Sequence, residues 1–314
     1  MAKTVTRKTW ALRIVLLGLI VVLSAIGFLN SPANATLTEP GRVISLTDNN
    51  MLQKPYTLND TEGEWDVLTV RQSNISQLEK FVHSATHADG YITAHAAGTD
   101  EESDEVSGEA QAVAARQASL NAAMEAYTGT NFMLVVEDTD GTDLSKGSRV
   151  LSVNHEPPTA GLMPAGTWLV ASPWGGVEVH EVERSDIRSI PAPIRAHNGS
   201  DPIPPGVDAV AAPVFQLGDV KGPSSGLGLA LAWVDALTPE NLTGGLHVAA
   251  TGVVDRRGEV IPVGEVELKL LAAAEAGADL VLVPNDYEGP IPEGLHVERV
   301  DSVEHALEVV AAHR

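Results

Sequence analysis

The chain has 314 residues and is 44% apolar, enough to bury a sizeable core and too apolar for a disordered chain. Its 20 basic and 42 acidic residues leave a net charge of −22, which excludes nucleic acid as a partner because phosphate binding needs a basic face. There are no cysteines, hence no disulfide, no thiolate nucleophile and no cysteine-based zinc site.

Four cations, Lys3, Arg7, Lys8 and Arg13, precede an uncharged apolar run from Ile14 to Leu29. Residues 1–35 read as a cytoplasmic tip followed by a transmembrane anchor. The run is short for a span, but Trp10, Ala11 and Leu12 extend it while Arg13 snorkels toward the headgroups. No acidic residue occurs before Glu39, so the positive-inside rule keeps the N-terminus cytoplasmic. The expectation is a single-pass protein of the cell membrane with its C-terminal domain outside the cytoplasm. The rival reading is a cleaved signal peptide, with Ala33-Asn34-Ala35 as an A-x-A-like site. Beyond residue 35 the balance is 16 basic against 42 acidic residues, or −26, which repels anionic lipid headgroups.

Residues 36–130 form an N-terminal extracytoplasmic region. It has prolines at 40 and 55, a short strand over Val67–Arg71, and an acidic run, Asp100 to Glu105, read as a solvated loop or helix start. A helix is predicted from Gly108 to Tyr127, in an alanine-rich stretch that Gly129 stops. His83 and His87 share an i,i+4 spacing, but no third ligand at a recognisable spacing accompanies them, so they read as a surface pair.

From 131 to 184 the pattern changes to short strands: Phe132–Val136, Arg149–Val153, Trp168–Ala171 and Val177–His180. Turns are predicted at Asp140-Gly141 and Trp174-Gly175-Gly176. Residues 185–206 hold Pro191, Pro193, Pro202, Pro204 and Pro205 and read as a linker.

The last part, 207–314, opens on an apolar strand from Asp208 to Leu217. A Gly/Pro turn then leads into a helix over 225–237. Strand-turn-strand follows over 251–264, a helix over Val266–Ala276 closed by Gly277, a buried strand over Ala278–Val283, and an amphipathic helix over Ser302–His313.

Chemistry concentrates in this last part. Ser224 lies in the turn Gly222-Pro223-Ser224-Ser225-Gly226, at a helix start where backbone N–H groups can stabilise an oxyanion. A serine hydroxyl is a poor nucleophile until a base takes its proton. Lys269 shares a helix face with Val266, Ala272 and Ala273, and burial in such a setting lowers a lysine pKa toward neutrality. Serine with lysine is a known variant of triad logic. Each residue also has a structural reading, the serine as a helix cap and the lysine as a snorkelling side chain. Lys221 is the rival base, but it sits in a loop near Asp219, where a solvated lysine stays protonated.

Two resemblances follow from ordered motifs. Leu144-Ser145-Lys146-Gly147-Ser148-Arg149-Val150-Leu151-Ser152-Val153-Asn154-His155 resembles a degenerate PDZ module, with His155 where that family carries glycine. Residues 208–314 resemble the proteolytic domain of the Lon family. The motifs are Gly222 to Gly226, Leu237-Thr238-Pro239, Leu242-Thr243-Gly244-Gly245, Thr251-Gly252, Gly258-Glu259-Val260-Ile261-Pro262-Val263-Gly264, Lys269-Leu270-Leu271-Ala272-Ala273, Gly277-Ala278 and Val283-Pro284. The resemblance implies Ser224 as nucleophile, Lys269 as base and Thr251 as a residue that helps hold the lysine. Gly222, Pro223, Ser225 and Gly226 support the turn. Departures are Ser225 for the usual alanine, Glu265 for a glycine and Glu267 for a second lysine.

No Gly-x-x-x-x-Gly-Lys-Ser/Thr phosphate loop occurs in the 314 residues. Together these features resemble membrane-anchored PDZ–Lon peptidases of bacteria. The expected fold class is α+β: a Lon-type C-terminal domain preceded by a small mainly-β PDZ-like region and an N-terminal transmembrane helix. The resemblance implies an ATP-independent serine endopeptidase acting on exposed or unfolded proteins, with neither cofactor nor metal, in a homo-oligomeric ring. A catalytically silent peptide-binding module of the cell envelope is the alternative.

Overall fold

The computed structural model describes residues 7–48, 63–86, 90–94, 101–130, 132–137, 143–171, 177–183, 187–193, 215–255 and 257–314. The expected turns at Asp140-Gly141 and Trp174-Gly175-Gly176, His87 and most of the expected strand at 208–217 lie outside them. The chain divides into two units, Met1–Pro40 with Val70–Thr99, and Gly41–Thr69 with Asp100–Arg314.

The first unit holds α1 (Arg7–Leu29), the first part of β1 (Pro32–Ser45), the last part of β2 (Glu64–Ser76), α2 (Gln77–Thr86) and β3 (Tyr91–Ala94). β1 and β3 pair antiparallel from Ala35↔Ala94 to Thr38↔Tyr91, and Ala33, Ala35, Leu37 and Ile75 form a small core. A reciprocal capping box starts α2. Ser76 Oγ accepts from the Glu79 amide (3.2 Å), and Glu79 Oε2 accepts from the Ser76 amide (2.7 Å). Every large apolar side chain described on α1, from Val15 to Leu29, is exposed. Among the described residues no helix is long and apolar enough to cross a membrane, so the expected span is not borne out there. The apolar stretch with described side chains begins only at Val15, short of the ~20 residues that a hydrocarbon core requires.

The second unit contains the remaining parts of β1 and β2. It continues with α3 (Glu101–Thr128), β4 (Phe132–Val136), β5 (Arg149–Val153), β6 (Gly161–Met163), β7 (Gly166–Ala171), β8 (Val177–Val182) and β9 (Ile187–Pro193). After these come α4 (Gly226–Leu237), β10 (His247–Ala250), β11 (Val253–Val254), β12 (Val260–Ile261), α5 (Val266–Ala276), β13 (Leu280–Pro284), β14 (Val297–Val300) and α6 (Val303–His313).

Its central sheet runs β14-β13-β10-β2-β1, with β14, β13, β10 and β2 parallel. Successive residues of a strand face opposite sides, and here both sides are covered. Val248, Ala250, Leu280, Leu282 and Val67 join α3, α4 and α6 in the main core. Ala249, Val281, Val283 and Leu68 pack with Val266, Leu270 and Ala273 of α5 on the other face. His247 of β10 is hydrogen-bonded to buried Asp66 of β2, a pair that raises the His247 pKa and ties the two strands in register.

The expected α+β class therefore becomes a mixed α/β fold built on a parallel sheet between helices. The expected boundary at residue 207 does not isolate the last domain either. β2 lies beside β10, and α3 packs along α4, so residues 41–69 and 101–130 belong to the same unit.

Residues 132–193 form a second, antiparallel sheet, β6-β9-β4-β5-β7-β8, with no helix among its described residues. One face makes its own core around Trp168, Val150 and Met163, while Leu151, Leu169 and Ala171 join the main core. The turn after β5 has positive φ at Asn154 (52°) and His155 (64°), a conformation that glycine adopts most readily, and no comparison supports the expected PDZ module. The expected linker at 185–206 begins instead as β9. Pro191 and Pro193 fit a strand here because β6 reaches only Ile187–Ser189, leaving β9 with β4 alone beside the prolines.

Candidate active site

Two glycines shape the serine turn. Gly222 has φ +82°, and its amide donates to the Gly108 carbonyl of α3 (3.0 Å). Gly226 sits so close to the β10–β11 connection that a Cβ there would lie 2.9 Å from the Val254 nitrogen. The Gly226 amide closes the turn onto the Pro223 carbonyl (3.1 Å).

The turn is held from two sides. The Ser224 carbonyl accepts from the Gly252 amide (3.0 Å) and from Thr251 Oγ1 (3.3 Å), and the Leu227 amide returns to the Gly252 carbonyl (3.0 Å). From α3, Ser119 Oγ donates to the Gly226 carbonyl (2.9 Å). Thr251 is fully buried, and its amide is bonded to Leu282 of β13. The family resemblance gave Thr251 a role in holding the lysine; among the described contacts its hydroxyl donates to the serine's own backbone.

Ser224 is half-buried and precedes the N-cap of α4, Ser225, which makes no side-chain capping bond. Capping therefore does not explain either serine. Among the described residues the amides of Ser224 and Ser225 have no protein acceptor. They stand at the positive end of a twelve-residue helix that is buried along its whole length.

Lys269 comes from α5. Glu265, in the left-handed region (φ 58°), turns the chain into that helix, and Gly277 closes it. The lysine is 3% exposed, buried with Val266, Leu268, Leu270, Ala272 and Ala273 of its own helix. Burial lowers its pKa to about 8, with the Glu265 carboxylate opposing the shift. Lys221, the rival base, is exposed. Among the described residues Ser224 Oγ and Lys269 Nζ share no hydrogen bond; in unliganded sites such contacts often close only with substrate. Of the two histidines singled out in the sequence, His83 lies on α2 of the first unit, away from any metal-ligand grouping among the described residues.

Sequence reasoning missed Ser119, Gly108 and the Gly252 carbonyl as supports of the turn. The two α3 residues lie over a hundred positions from it in sequence, and no local pattern marks them.

A serine in a glycine-pinned turn at a helix start, in a fold that also buries a lysine, is the equipment of a serine peptidase domain. The comparisons point the same way: residues 218–312 match the Lon protease (S16) C-terminal proteolytic domain, so this part of the chain is similar to that domain. Similar proteins include a Lon protease of Clostridioides difficile, 44% identical over 72 residues (23% of this chain, 9% of that protein). An archaeal Lon protease of Archaeoglobus fulgidus is 31% identical over 141 residues (41% of this chain, 22% of that protein). One of Thermoplasma acidophilum is 38% identical over 85 residues (27% and 13%). The chain thus spans less than a quarter of the length of these relatives.

Proposed function

We propose that this chain is an ATP-independent serine endopeptidase that uses Ser224 as nucleophile and Lys269 as general base. The observation that carries the reading is the burial of Lys269, which brings its pKa to about 8, so that a neutral amine is available near physiological pH. In this mechanism substrate binding brings Ser224 Oγ against the scissile carbonyl carbon while Lys269 Nζ takes the hydroxyl proton. The amides of Ser224 and Ser225 receive the developing oxyanion. The lysine passes its proton to the leaving amine, and water then hydrolyses the acyl-serine with Lys269 again as base. Independence from ATP goes with a preference for exposed or unfolded segments, since no unfolding step then precedes cleavage.

The reading extends to the membrane. α1 is apolar and uncovered along its described length, the pattern of a helix that contacts lipid. Cleavage after Ala35 would remove the start of β1, with Ala33 and Ala35 of the first unit's core, which favours an uncleaved anchor. Lys3, Arg7, Lys8 and Arg13, ahead of the apolar run at Ile14, favour a topology with the rest of the chain outside the cytoplasm. The β4–β9 sheet, with its PDZ-like turn at Asn154-His155, is a peptide-docking neighbour, and the family habit of forming rings extends to this chain.

Purified protein is expected to cleave an unfolded casein-like substrate without ATP and to be labelled by a serine-reactive probe. Ser224→Ala should abolish both while leaving circular dichroism unchanged. Full activity in Ser224→Ala would overturn the assignment and point to Ser225; no labelling of the wild type would favour the silent peptide-binding module.

A further inference from the structure

Two periodicities meet where α6 lies over β14. His296, immediately before β14, and Glu298 and Val300 on it fall on one face, since successive side chains of extended chain alternate. Along the helix, Val303, Ala306, Val310 and His313 share one stripe at three- and four-residue spacing. Val300, Val303, Ala306 and Val310 are buried together in the main core. At the end of the stripe the apolar contact gives out, and three ligand-type side chains face each other instead.

Their geometry is that of a metal triad. His296 Nε2 lies 3.3 Å and His313 Nε2 3.7 Å from the same Glu298 oxygen, and all three atoms fall within 4.8 Å of one another. Ligands about 2.0–2.2 Å from a tetrahedral zinc stand about 3.4 Å apart, so an ion fits with small side-chain adjustments. The imidazole rings meet edge to face, centroids 4.7 Å apart, rather than stacking.

An independent observation concerns the tautomer. His313 Nδ1 lies 2.7 Å from the Val309 carbonyl. A carbonyl only accepts, so Nδ1 carries the hydrogen, and in the neutral ring Nε2 presents a bare lone pair to Glu298. Two lone-pair bearers then face each other, a contact relieved either by a second proton on the ring or by a cation between them. A histidine whose far nitrogen is tied to a backbone carbonyl is also how proteins orient a metal ligand. The described residues hold one other grouping of this kind, Glu64, Asp66 and His247. There His247 bonds Asp66 directly, leaving no room for an ion between them.

We propose that His296, Glu298 and His313 form a site for a divalent transition cation of the zinc class, a clip that joins the end of α6 to the start of β14. Two imidazoles and one carboxylate suit zinc over magnesium or calcium, and the half-exposed setting leaves a fourth position for water. The site is separate from the peptidase reading and is tested by binding, not by hydrolysis.

The chelator-treated full chain in detergent should take up about one equivalent of Zn2+ with micromolar or tighter affinity, read by competition with a chromophoric chelator. Co2+ in its place should give the visible absorption of a tetrahedral or five-coordinate ion. His296→Ala and His313→Ala should each weaken binding by at least the roughly tenfold that even loss of an orienting partner costs, whereas His305→Ala should not. Zn2+ should raise the melting temperature of the wild type and not of His313→Ala. No Zn2+ uptake by the wild type would overturn the proposal. So would uptake that survives both alanine variants or is abolished by His247→Ala alone.

Discussion

Lys269 is a cost to the fold as well as an asset to the site. Its pKa falls from the ordinary 10.5 to about 8, so between these values the unfolded chain binds more protons than the folded one. Stability from this group therefore rises with pH across that window. Below about pH 8 the buried ammonium costs about 3 kcal/mol, the energy of the shift. Lys269→Met should then do two opposite things at pH 7. Peptide hydrolysis should fall to background, while the melting temperature should rise by several degrees, measured by calorimetry. Lys221→Ala should change the rate only modestly, because that lysine is exposed. In the wild type kcat/KM should climb with pH and level off above about 8. An active Lys269→Met protein, or a dead Lys221→Ala one, would sink the dyad. Asp235 on α4 shows the same tension without a catalytic duty. Burial raises its pKa to about 6 although its carboxylate accepts from the Leu242 amide (2.7 Å).

At the scale of elements, α4 decides where the serine stands. All twelve of its residues are buried, and its first turn is pressed against the β10–β11 connection. Gly226 is the point of closest approach, and backbone atoms cannot move aside as a side-chain tip can. Gly226→Ala is expected to destabilise the protein by about 1–3 kcal/mol, the range for overpacking a filled interior. It should also cost activity at temperatures where the fold persists, because relief of the clash shifts Ser224. Chemical denaturation read beside single-turnover rates checks both; a Gly226→Ala protein with unchanged stability would show that the contact is not tight. The boundaries of α5 and α6 were legible in the sequence, because their signals are local. Gly277 takes up φ +76° just past α5, and Ser302 Oγ caps α6 by accepting from the His305 amide. β10 and β14 were not legible: each is only four residues long, β10 nearly all buried in the parallel sheet and β14 at its edge, too short for a periodicity to show. The prolines of 185–206 misled for the opposite reason, since what tolerates Pro191 and Pro193 in β9 is the short length of a neighbouring strand.

For the molecule as a whole, the proposed topology rests on the four cations ahead of the apolar run at Ile14 and on the acidic balance beyond residue 35. Protease added to the outer face of intact cells or spheroplasts should digest the catalytic unit, and carbonate washing should leave the chain with the membrane. Protection until detergent is added, or release by carbonate, would reject the topology or the anchor respectively. The second unit is also larger than the matched stretch. Trp65 and Val67 of β2 and Leu120, Ala122, Ala123 and Met124 of α3 share one core with α4 and α6, and α3 bonds both ends of the serine turn.

The sequence by itself determined the chemistry on offer: a glycine-pinned serine at a helix start, a lysine within an apolar helix, and ordered motifs over 208–314 that resemble the Lon proteolytic domain. Those features depend on neighbours within a few positions, through turns, caps and helical spacing. Only the tertiary structure decided that Lys269 is desolvated, that Thr251 and Ser119 hold the serine turn, and that β2 lies beside a strand some 180 residues away. Burial and the pKa that follows from it sum over every element packed around a group, and α3, β2 and α5 reach these positions only when the chain has folded.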